Sequence, residues 1–454
     1  MDSNYLRGLK HALTGDPNAR FVFLCNFEVE HNWAHNYIGL PGPKLSASGE
    51  IVRRMEELGA LLAGQGDVLC LGEGLDPAYR AYLSRLGFSP PDELVVPGGA
   101  GESTSQRILA SPIAMARLRE LGSSGAYLMP MGTSPEEQKV AEQAGLALAV
   151  PDSQTMERVN GKIYGRRVVD KLGIRPVPGT CCETVDELAE ALAGGEFPVI
   201  VKESYGVSGK GLLVVDGPAK AARLIRMAEK RAAKTGTRAI HVVVERFLPK
   251  KFDLNYQFTV GTDGTMRFDF VKRALTSSGV HLGHLMPAEL SETQHDELRD
   301  TAGRLAARLF ADGFTGVVGV DAILGADDTL YPVLEINARL NMSSYQGTLT
   351  ERLLRPGGVA LSKHYPLAAR QPVSFGAVTD ALGPLLEPDS DGSVLVVSCF
   401  GTVNPRSGDS RSGEPDGTPV KGRLYATLFA PDRATLSEMD DNAARMLAGL
   451  EENQ

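Results

Sequence analysis

The sequence lacks the features that mark secreted, membrane-spanning and nucleic-acid-binding proteins. Its five cysteines include no CxxC pair, and Cys181 and Cys182 are adjacent, so we expect reduced thiols. No stretch approaches the roughly 18 apolar residues of a membrane span, and the polar first residues offer no signal-peptide core. Lys and Arg (47) are outnumbered by Asp and Glu (56), which disfavours nucleic acid as the main partner. We therefore expect a cytoplasmic protein that binds neither membrane nor nucleic acid.

The length of 454 residues and an apolar share of 43% predict a globular protein of roughly two to four domains. Residues 1–150 alternate apolar runs with helical patterns, which indicates βαβ units and a parallel sheet. Residues 151–368 combine strand pairs with helices, and residues 369–454 form a small α+β region. Within that region the Gly/Ser-rich stretch 404–422 is either a mobile surface loop or a lid over a substrate.

A glycine-rich segment follows a predicted buried strand at residues 199–211, VIVKESYGVSGKG. Glycines let backbone N–H groups approach a phosphate closely, and Lys202 and Lys210 would add positive charge. The segment is not a P-loop, in which a Ser or Thr follows the lysine. A structural turn would explain the segment equally well if it stood alone.

A second pattern places three polar side chains on one face of a strand. Asp321 lies in the apolar run GVDAIL, and Glu335, Asn337 and Arg339 alternate with apolar residues in YPVLEINARLN. Two carboxylates and an amide oxygen are suitable ligands for Mg²⁺, and an arginine beside them suits an oxyanion. The alternative, an exposed charged face of an edge strand, is disfavoured because the intervening residues are apolar.

Two other predicted strand ends could present ligand groups. Glu245, Phe247 and Leu248 end the run VVVERFL, where an apolar slot and backbone groups could hold a nucleobase, although a purely structural role is equally compatible. Glu28, Glu30, His31 and Trp33 follow the first strand, a position where ligand groups often lie in α/β sheets, but a plain loop is equally compatible and they suggest no specific role.

Taken in order, these elements resemble the ATP-grasp family over about residues 150–350. The resemblance implies an ATP-grasp core behind an N-terminal pre-grasp domain, with ATP and two Mg²⁺ ions as cofactors. It implies that Asp321, Glu335 and Asn337 are the metal ligands. The nucleotide site that it implies consists of Lys162, Lys202, Ser204, Gly206, Ser208, Gly209, Lys210, Glu245, Phe247, Leu248, Asp253 and Leu334. For the ribose, Gln257 is the alternative to Asp253.

The resemblance also assigns catalytic roles to Lys202 and Arg339. The D-alanine–D-alanine ligases of the family carry an arginine two residues before the metal aspartate, and this sequence has Gly319 there. The oxyanion role would therefore fall to Arg339. Nothing resembles a biotin-attachment sequence or a bicarbonate signature, so carboxylation is disfavoured.

Substrate-binding residues are expected between the core elements: Arg273, His281, His284 and Ser343. The spacing of His281 and His284 could instead indicate zinc, but the sequence offers no third ligand nearby. For Arg273 a solvated strand end is an equal alternative.

The layout as a whole resembles the peptide ligases of pheganomycin-type antibiotic biosynthesis. This resemblance implies an ADP-forming enzyme that joins an amino-acid-like carboxylate to the N-terminal amine of a peptide through an acyl phosphate. The expected partners are thus a small carboxylate and a peptide or amino-acid amine, with a homodimer as a further option. The alternatives are a ligase for two free amino acids and a nucleotide-binding protein without catalysis.

Overall fold

The computed structural model describes residues 3–33, 39–40, 49–99, 101–205, 211–277, 280–405 and 419–452. Four of the predicted phosphate-loop residues lie outside the described residues: Gly206, Ser208, Gly209 and Lys210. Most of the 404–422 stretch does as well. In the part of the chain that is described, no helix combines the length and the apolarity that crossing a membrane requires.

The N-terminal region is a five-stranded parallel sheet with helices on its faces, as its alternating pattern predicts. The strand order is β3-β2-β1-β4-β5. Its elements are α1 (Asn4–Thr14), β1 (Phe21–Leu24), α2 (Gly49–Arg54), α3 (Gly59–Leu62), β2 (Val68–Leu71), α4 (Pro77–Arg85), β3 (Asp92–Val95), α5 (Thr104–Ala110), α6 (Pro112–Ser123), β4 (Tyr127–Pro130), α7 (Pro135–Ala144) and β5 (Ala147–Leu148).

Two helices lead into a small lobe with a four-stranded antiparallel sheet. The strand order is β6-β9-β7-β8, and its two helices cover an apolar core drawn almost entirely from the lobe itself. The elements are α8 (Ser153–Asn160), α9 (Lys162–Leu172), β6 (Gly179–Thr184), α10 (Val185–Ala193), β7 (Val199–Glu203), β8 (Leu212–Val215), α11 (Pro218–Thr235) and β9 (Ala239–Arg246).

An eight-stranded antiparallel sheet forms the rest of the molecule, in the order β14-β13-β10-β11-β12-β15-β17-β16. Its elements are β10 (Lys250–Val260), β11 (Met266–Ser277), β12 (Val280–Met286), α12 (Glu292–Ala311), β13 (Gly316–Gly325), β14 (Leu330–Asn337), α13 (Gly347–Leu353), β15 (Val359–Ala369), α14 (Phe375–Leu382), β16 (Val394–Cys399), β17 (Val420–Ala430) and α15 (Arg433–Glu452). Because β15 crosses residue 368 and pairs with β17, the sheet is continuous across the predicted domain boundary. The division into three domains stays a prediction.

Two pairs of consecutive helices are separated by a single residue. The extended backbone of Gly161 (φ −73°, ψ 131°) separates α8 from α9. Ser111 separates α5 from α6, since the residue before a proline is pushed out of the helical region, and its side chain caps α6. Neither β12 nor β15 was predicted from the sequence.

Candidate functional site

A narrow cleft separates the small lobe from the edge of the large sheet. One wall is β7 and β9 of the lobe, the other is β14, and helix α9 closes the floor. Five of the residues predicted to bind the nucleotide or a metal line it: Lys162, Lys202, Glu245, Leu334 and Glu335. Its free volume of about 10 Å³ is that of one water-sized sphere, so a nucleotide would enter only if the walls part.

Each lysine of the cleft is paired with a carboxylate. The Nζ of Lys202 lies 2.6 Å from Oε2 of Glu245, and the Nζ of Lys162 lies 2.8 Å from Oε1 of Glu335. The guanidinium of Arg166, one helical turn after Lys162, lies 3.7 Å from the other oxygen of Glu245. Arg166 was missed in the sequence, although the spacing of four residues places it on the same helix face as Lys162. The oxygens of a phosphate group could replace these carboxylates as the partners of the three cations.

The carboxylates of Asp321 and Glu335 lie side by side on neighbouring strands. The two residues are directly paired in the register of β13 and β14. Asp321 accepts hydrogen bonds from the amides of Asn255 (2.8 Å) and Asn337 (3.2 Å). Burial and the charge of Glu335 raise the pKa of Asp321 to about 6. Two adjacent carboxylates that repel one another form a donor set suited to a divalent cation.

Any metal at this position would also need oxygen ligands from elsewhere. In the described part of the chain, no group of three or more His, Cys, Asp and Glu side chains is arranged to hold a metal ion. Asn337 points its Nδ2 at Asp321 and its Oδ1 at Arg339, so its amide would have to turn to offer oxygen to a metal shared with Asp321. Two carboxylates completed by substrate phosphates are the usual environment of Mg²⁺, so the residues fit that ion.

Arg339 lies two residues beyond the end of β14 and is 8% exposed. Its Nη2 donates to Oδ1 of Asn337 (3.1 Å) and to Oε1 of Glu30, and its Nη1 donates to the carbonyl of Leu340 (3.2 Å). Its buried Nε has no hydrogen-bond partner among the described residues. The guanidinium therefore keeps a donor for an oxyanion.

A polar cluster continues along the same face of the large sheet. Ser343 donates to Oδ1 of Asn255 (3.1 Å), and its hydroxyl lies 3.3 Å from Nε2 of His284, whose ring centre is 4.4 Å from that of His281. Burial lowers the pKa of His284 well below its usual value and that of His281 to about 4. The fully buried Lys272 donates to Oε1 of Gln346 (2.9 Å), and burial lowers its pKa to about 7. Asn255 and Lys272 were missed because a strand pattern does not reveal which polar residues meet across strands.

Other predicted nucleotide-binding residues do not line the cleft. Phe247 and Leu248 follow the end of β9, and Phe247 is 48% exposed. Ser204 faces a neighbouring open groove together with Tyr205 and His241. Its carbonyl accepts from the backbone N–H of Lys162 (3.1 Å), so it fixes the start of α9.

Asp253 and Arg273 do not line the cleft either. Oδ2 of Asp253 accepts from Lys250 and Thr276, both at 2.5 Å. Arg273 is the neighbour of Lys272 on β11 and so lies on the opposite face of the sheet, with its guanidinium 4.9 Å from the ring centre of Phe252. Gln257, the alternative to Asp253, is fully buried and donates to the hydroxyl of Tyr5.

Comparison with known proteins adds two family matches. Residues 162–353 match the ATP-binding domain of the carbamoyl-phosphate synthase L chain, and residues 55–146 match the pre-ATP-grasp domain. A [butirosin acyl-carrier protein]–L-glutamate ligase of Niallia circulans is 26% identical over 202 residues, which cover 44% of this chain and 47% of that protein.

Two more matches extend over most of the chain. The arginine-specific large chain of carbamoyl phosphate synthase from Bacillus subtilis is 22% identical over 429 residues, 85% of this chain and 39% of that protein. The chain thus spans less than half the length of these two relatives. The crystal structure of a biotin carboxylase from Campylobacter jejuni in a β,γ-ATP complex has a TM-score of 0.54 at 13% identity, covering 94% of this chain and 95% of that one.

These matches confirm the predicted fold class, in which a βαβ pre-grasp region precedes a mixed α/β and α+β core. The pre-ATP-grasp match ends at residue 146, just before the last strand of the parallel sheet, and the ATP-binding match begins at residue 162, the start of the cleft helix α9. The chain belongs to the ATP-grasp superfamily.

Proposed function

We propose that the protein is an ADP-forming carboxylate–amine ligase that makes an amide bond through an acyl phosphate. One observation carries this proposal: the carboxylates of Asp321 and Glu335 are paired, Asn337 links Asp321 to Arg339, and Lys162 and Lys202 line the same cleft as Glu335. This arrangement combines a cation site, phosphate-binding charges and an oxyanion donor. These are the parts that phosphoryl transfer to a carboxylate needs.

The nucleotide would occupy the cleft once its walls part. Lys202 would break its ion pair with Glu245, and Lys162 its ion pair with Glu335, and both lysines would then bind phosphate oxygens. Leu334 would supply an apolar surface to the base. Asp321, Glu335 and Asn337 would hold the two Mg²⁺ ions that we propose. When bound, Mg²⁺ offsets the negative charge that phosphates bring to the site.

Arg339 would act on the acyl group. Its Nε–H has no partner in the part of the chain that the structure describes, so it can donate to the oxygen that becomes negative when an amine attacks the acyl phosphate. The cluster of Ser343, His281 and His284 is linked to Asp321 through Asn255 and offers hydrogen-bonding groups to the substrates. Burial lowers the pKa of both imidazoles and so favours their neutral form, in which each ring can accept a hydrogen bond from a substrate.

For the acid we propose an amino-acid-like carboxylate, and for the amine a peptide N-terminus. The name of the butirosin ligase gives L-glutamate as a substrate of that relative, which supports an amino acid as the carboxylate substrate here. The predicted likeness to pheganomycin-type ligases supports a peptide as acceptor. A ligase for two free amino acids is the alternative, and it differs only in the size of the amine.

An ADP-release assay tests the proposal. The twenty common amino acids serve as acids and hydroxylamine as the amine, and the resulting hydroxamate is measured alongside ADP. We expect K202A and E335A to lose at least about 100-fold in turnover, since both remove charge stabilisation at the transferring phosphoryl group. The matched controls K220A and E229A break exposed ion pairs of helix α11, away from the cleft, and should leave the rate unchanged.

The outcomes separate the candidate functions. Wild-type turnover in both K202A and E335A would show that the site is assigned wrongly. ATP binding without ADP release for any acid would favour the non-catalytic alternative. With an accepted acid, mass spectrometry of the product formed from a peptide amine or a free amino acid distinguishes the peptide ligase from the dipeptide ligase.

A further inference from the structure

We propose that Glu30, from the N-terminal domain, is a positioning residue that sets the orientation of Arg339. The inference rests on the proposed function, because Arg339 matters as an oxyanion donor only in acyl transfer. It gives a role to the segment after β1, for which the sequence alone suggested none.

The contact joins distant parts of the chain. Glu30 lies in a short 3-10 turn, Val29–Asn32, and its Oε1 accepts from Nη2 of Arg339, 309 residues further on. The two side chains are only 9% and 8% exposed. Val29 and Trp33 flank the glutamate and are each 1% exposed, and the indole of Trp33 donates to the carbonyl of Thr133 (3.2 Å). The turn that carries Glu30 is therefore anchored to the parallel sheet.

The hydrogen bonds of the guanidinium explain how Glu30 could act. A guanidinium has five N–H donors in one plane. In Arg339 the Nη2 donors go to Glu30 and Asn337, one Nη1 donor goes to Leu340, and Nε is unpartnered among the described residues. Of these contacts only the one to Glu30 is charged. A charge-assisted bond at Nη2 fixes the plane, and with it the direction in which Nε–H points.

A purely structural pair is the competing explanation. Buried ion pairs often add little stability compared with apolar residues of the same size. A pair that served only stability would affect folding but not the fate of an intermediate. If Glu30 aims Arg339, its loss should instead weaken the hold on the acyl phosphate while nucleotide binding continues normally.

The variant E30Q tests this, with ATP, the accepted amino acid and hydroxylamine as substrates. We expect kcat for hydroxamate formation to fall about 10- to 100-fold, the effect of misplacing a catalytic group by about an ångström. The KM for ATP should change less than about twofold, because the lysines of the cleft are untouched. More ADP should be released per hydroxamate formed, because a poorly held acyl phosphate is lost to water.

A double-variant cycle with R339K isolates the route through Arg339. If Glu30 acts only through that arginine, E30Q/R339K should be no slower than R339K alone. The proposal would be overturned if the loss of kcat in E30Q/R339K equalled the product of the losses in the two single variants. It would also be overturned if E30Q kept the wild-type kcat and the wild-type ratio of ADP to hydroxamate.

The control is E57Q, which breaks another buried glutamate–arginine pair of the same domain, that of Glu57 with Arg54. We expect it to lower the melting temperature and leave the ADP-to-hydroxamate ratio unchanged. Trp33 is the only tryptophan in the chain, so its fluorescence reports whether the 29–33 turn remains folded in E30Q.

A crystal structure of E30Q decides the point independently of activity. A rotated guanidinium at Arg339 with the turn intact would support the proposal, and an unchanged guanidinium would overturn it. Lack of ADP release by the wild-type protein with every acid would contradict the ligase function instead. The two failures are therefore distinguishable.

Discussion

At Asp321, burial and a neighbouring carboxylate act in the same direction. Both favour the protonated acid and raise its pKa from 3.8 to about 6. The folded protein therefore binds this proton more tightly than the unfolded chain does, so its stability falls as the pH rises from about 4 to about 6. Above that range the folded protein holds two adjacent carboxylates whose mutual repulsion a divalent cation would relieve.

We expect D321N to stabilise the protein at pH 8 by up to about 2–3 kcal/mol, following about 1.4 kcal/mol per pKa unit. The advantage should shrink as the pH is lowered from 6 towards 4, because the wild-type acid becomes protonated. Urea unfolding at pH 8 and pH 5 measures both. MgCl₂ with ATP should raise the melting temperature of the wild type and not that of D321N. An equal stability difference at both pH values would contradict the assignment.

Lys272 presents the opposite case, a buried cation. It is fully buried, makes no salt bridge within the described residues, and has its pKa lowered from 10.5 to about 7 by burial. Because the unfolded chain then binds the proton more tightly, stability should be lowest below pH 7 and rise as the pH increases from 7 to about 10.

K272M should consequently be more stable than the wild type at pH 6.5, by about 1–3 kcal/mol, since an uncompensated buried charge is replaced by an apolar side chain of similar length. The difference should vanish near pH 10. Chemical denaturation across this range measures it, with K220M at an exposed position as the control. A stability loss at pH 6.5 would show that the bond to Gln346 outweighs burial.

Among the elements, those built on strict alternation could be predicted and those that depend on tertiary pairing could not. The apolar run that contains Asp321 lies in β13, and Glu335 and Asn337, which alternate with apolar residues, lie in β14. Arg339 was expected to continue that strand, but β14 ends at Asn337. Its pairing with Glu30 was beyond sequence reasoning, because 309 residues separate the two.

Gly319 lies against Asn341, whose side chain occupies the space that a larger residue at position 319 would need. A Cβ at position 319 would lie 2.3 Å from Nδ2 of Asn341. Oδ1 of Asn341 accepts from the backbone N–H of Ser343 (2.8 Å), so the asparagine shapes the turn that holds the serine. The space beside β13 is thus occupied by the chain itself.

G319A should therefore destabilise the protein by about 1–3 kcal/mol, the usual effect of overpacking a filled site. If the shift of Asn341 is transmitted to Ser343, activity should fall as well. Thermal unfolding measures the first effect and the ADP-release assay the second. G303A is the matched control, because a Cβ there would meet only the methyl group of Met266, at 3.9 Å. Unchanged stability in G319A would show that Asn341 can move aside freely.

In the whole molecule, the hydrophobic cores do not follow the three predicted regions. One core contains side chains of the N-terminal helices α1 and α4 together with those of β15, β16, β17, α14 and α15. Tyr79 and Tyr82 of α4 donate to the carbonyls of Val397 and Leu395 and pack on Phe375. The small lobe, by contrast, has a core of its own. Sequence patterns indicated the segments but not which of them share a core.

A chain ending at residue 368 should consequently fail to fold cooperatively, since it would expose the apolar face of α4 and leave β15 without its partner β17. The control is a full-length chain in which residues 179–246 are replaced by a short Gly/Ser linker. Because Gly179 and Glu245 are paired on adjacent strands, the ends of that excision are close together, and the removed segment takes its own core with it. Urea unfolding followed by circular dichroism should give a single cooperative transition for the control and a broad, shallow one for the truncated chain. A sharp transition in the truncated chain would instead establish residues 369–454 as a separable domain.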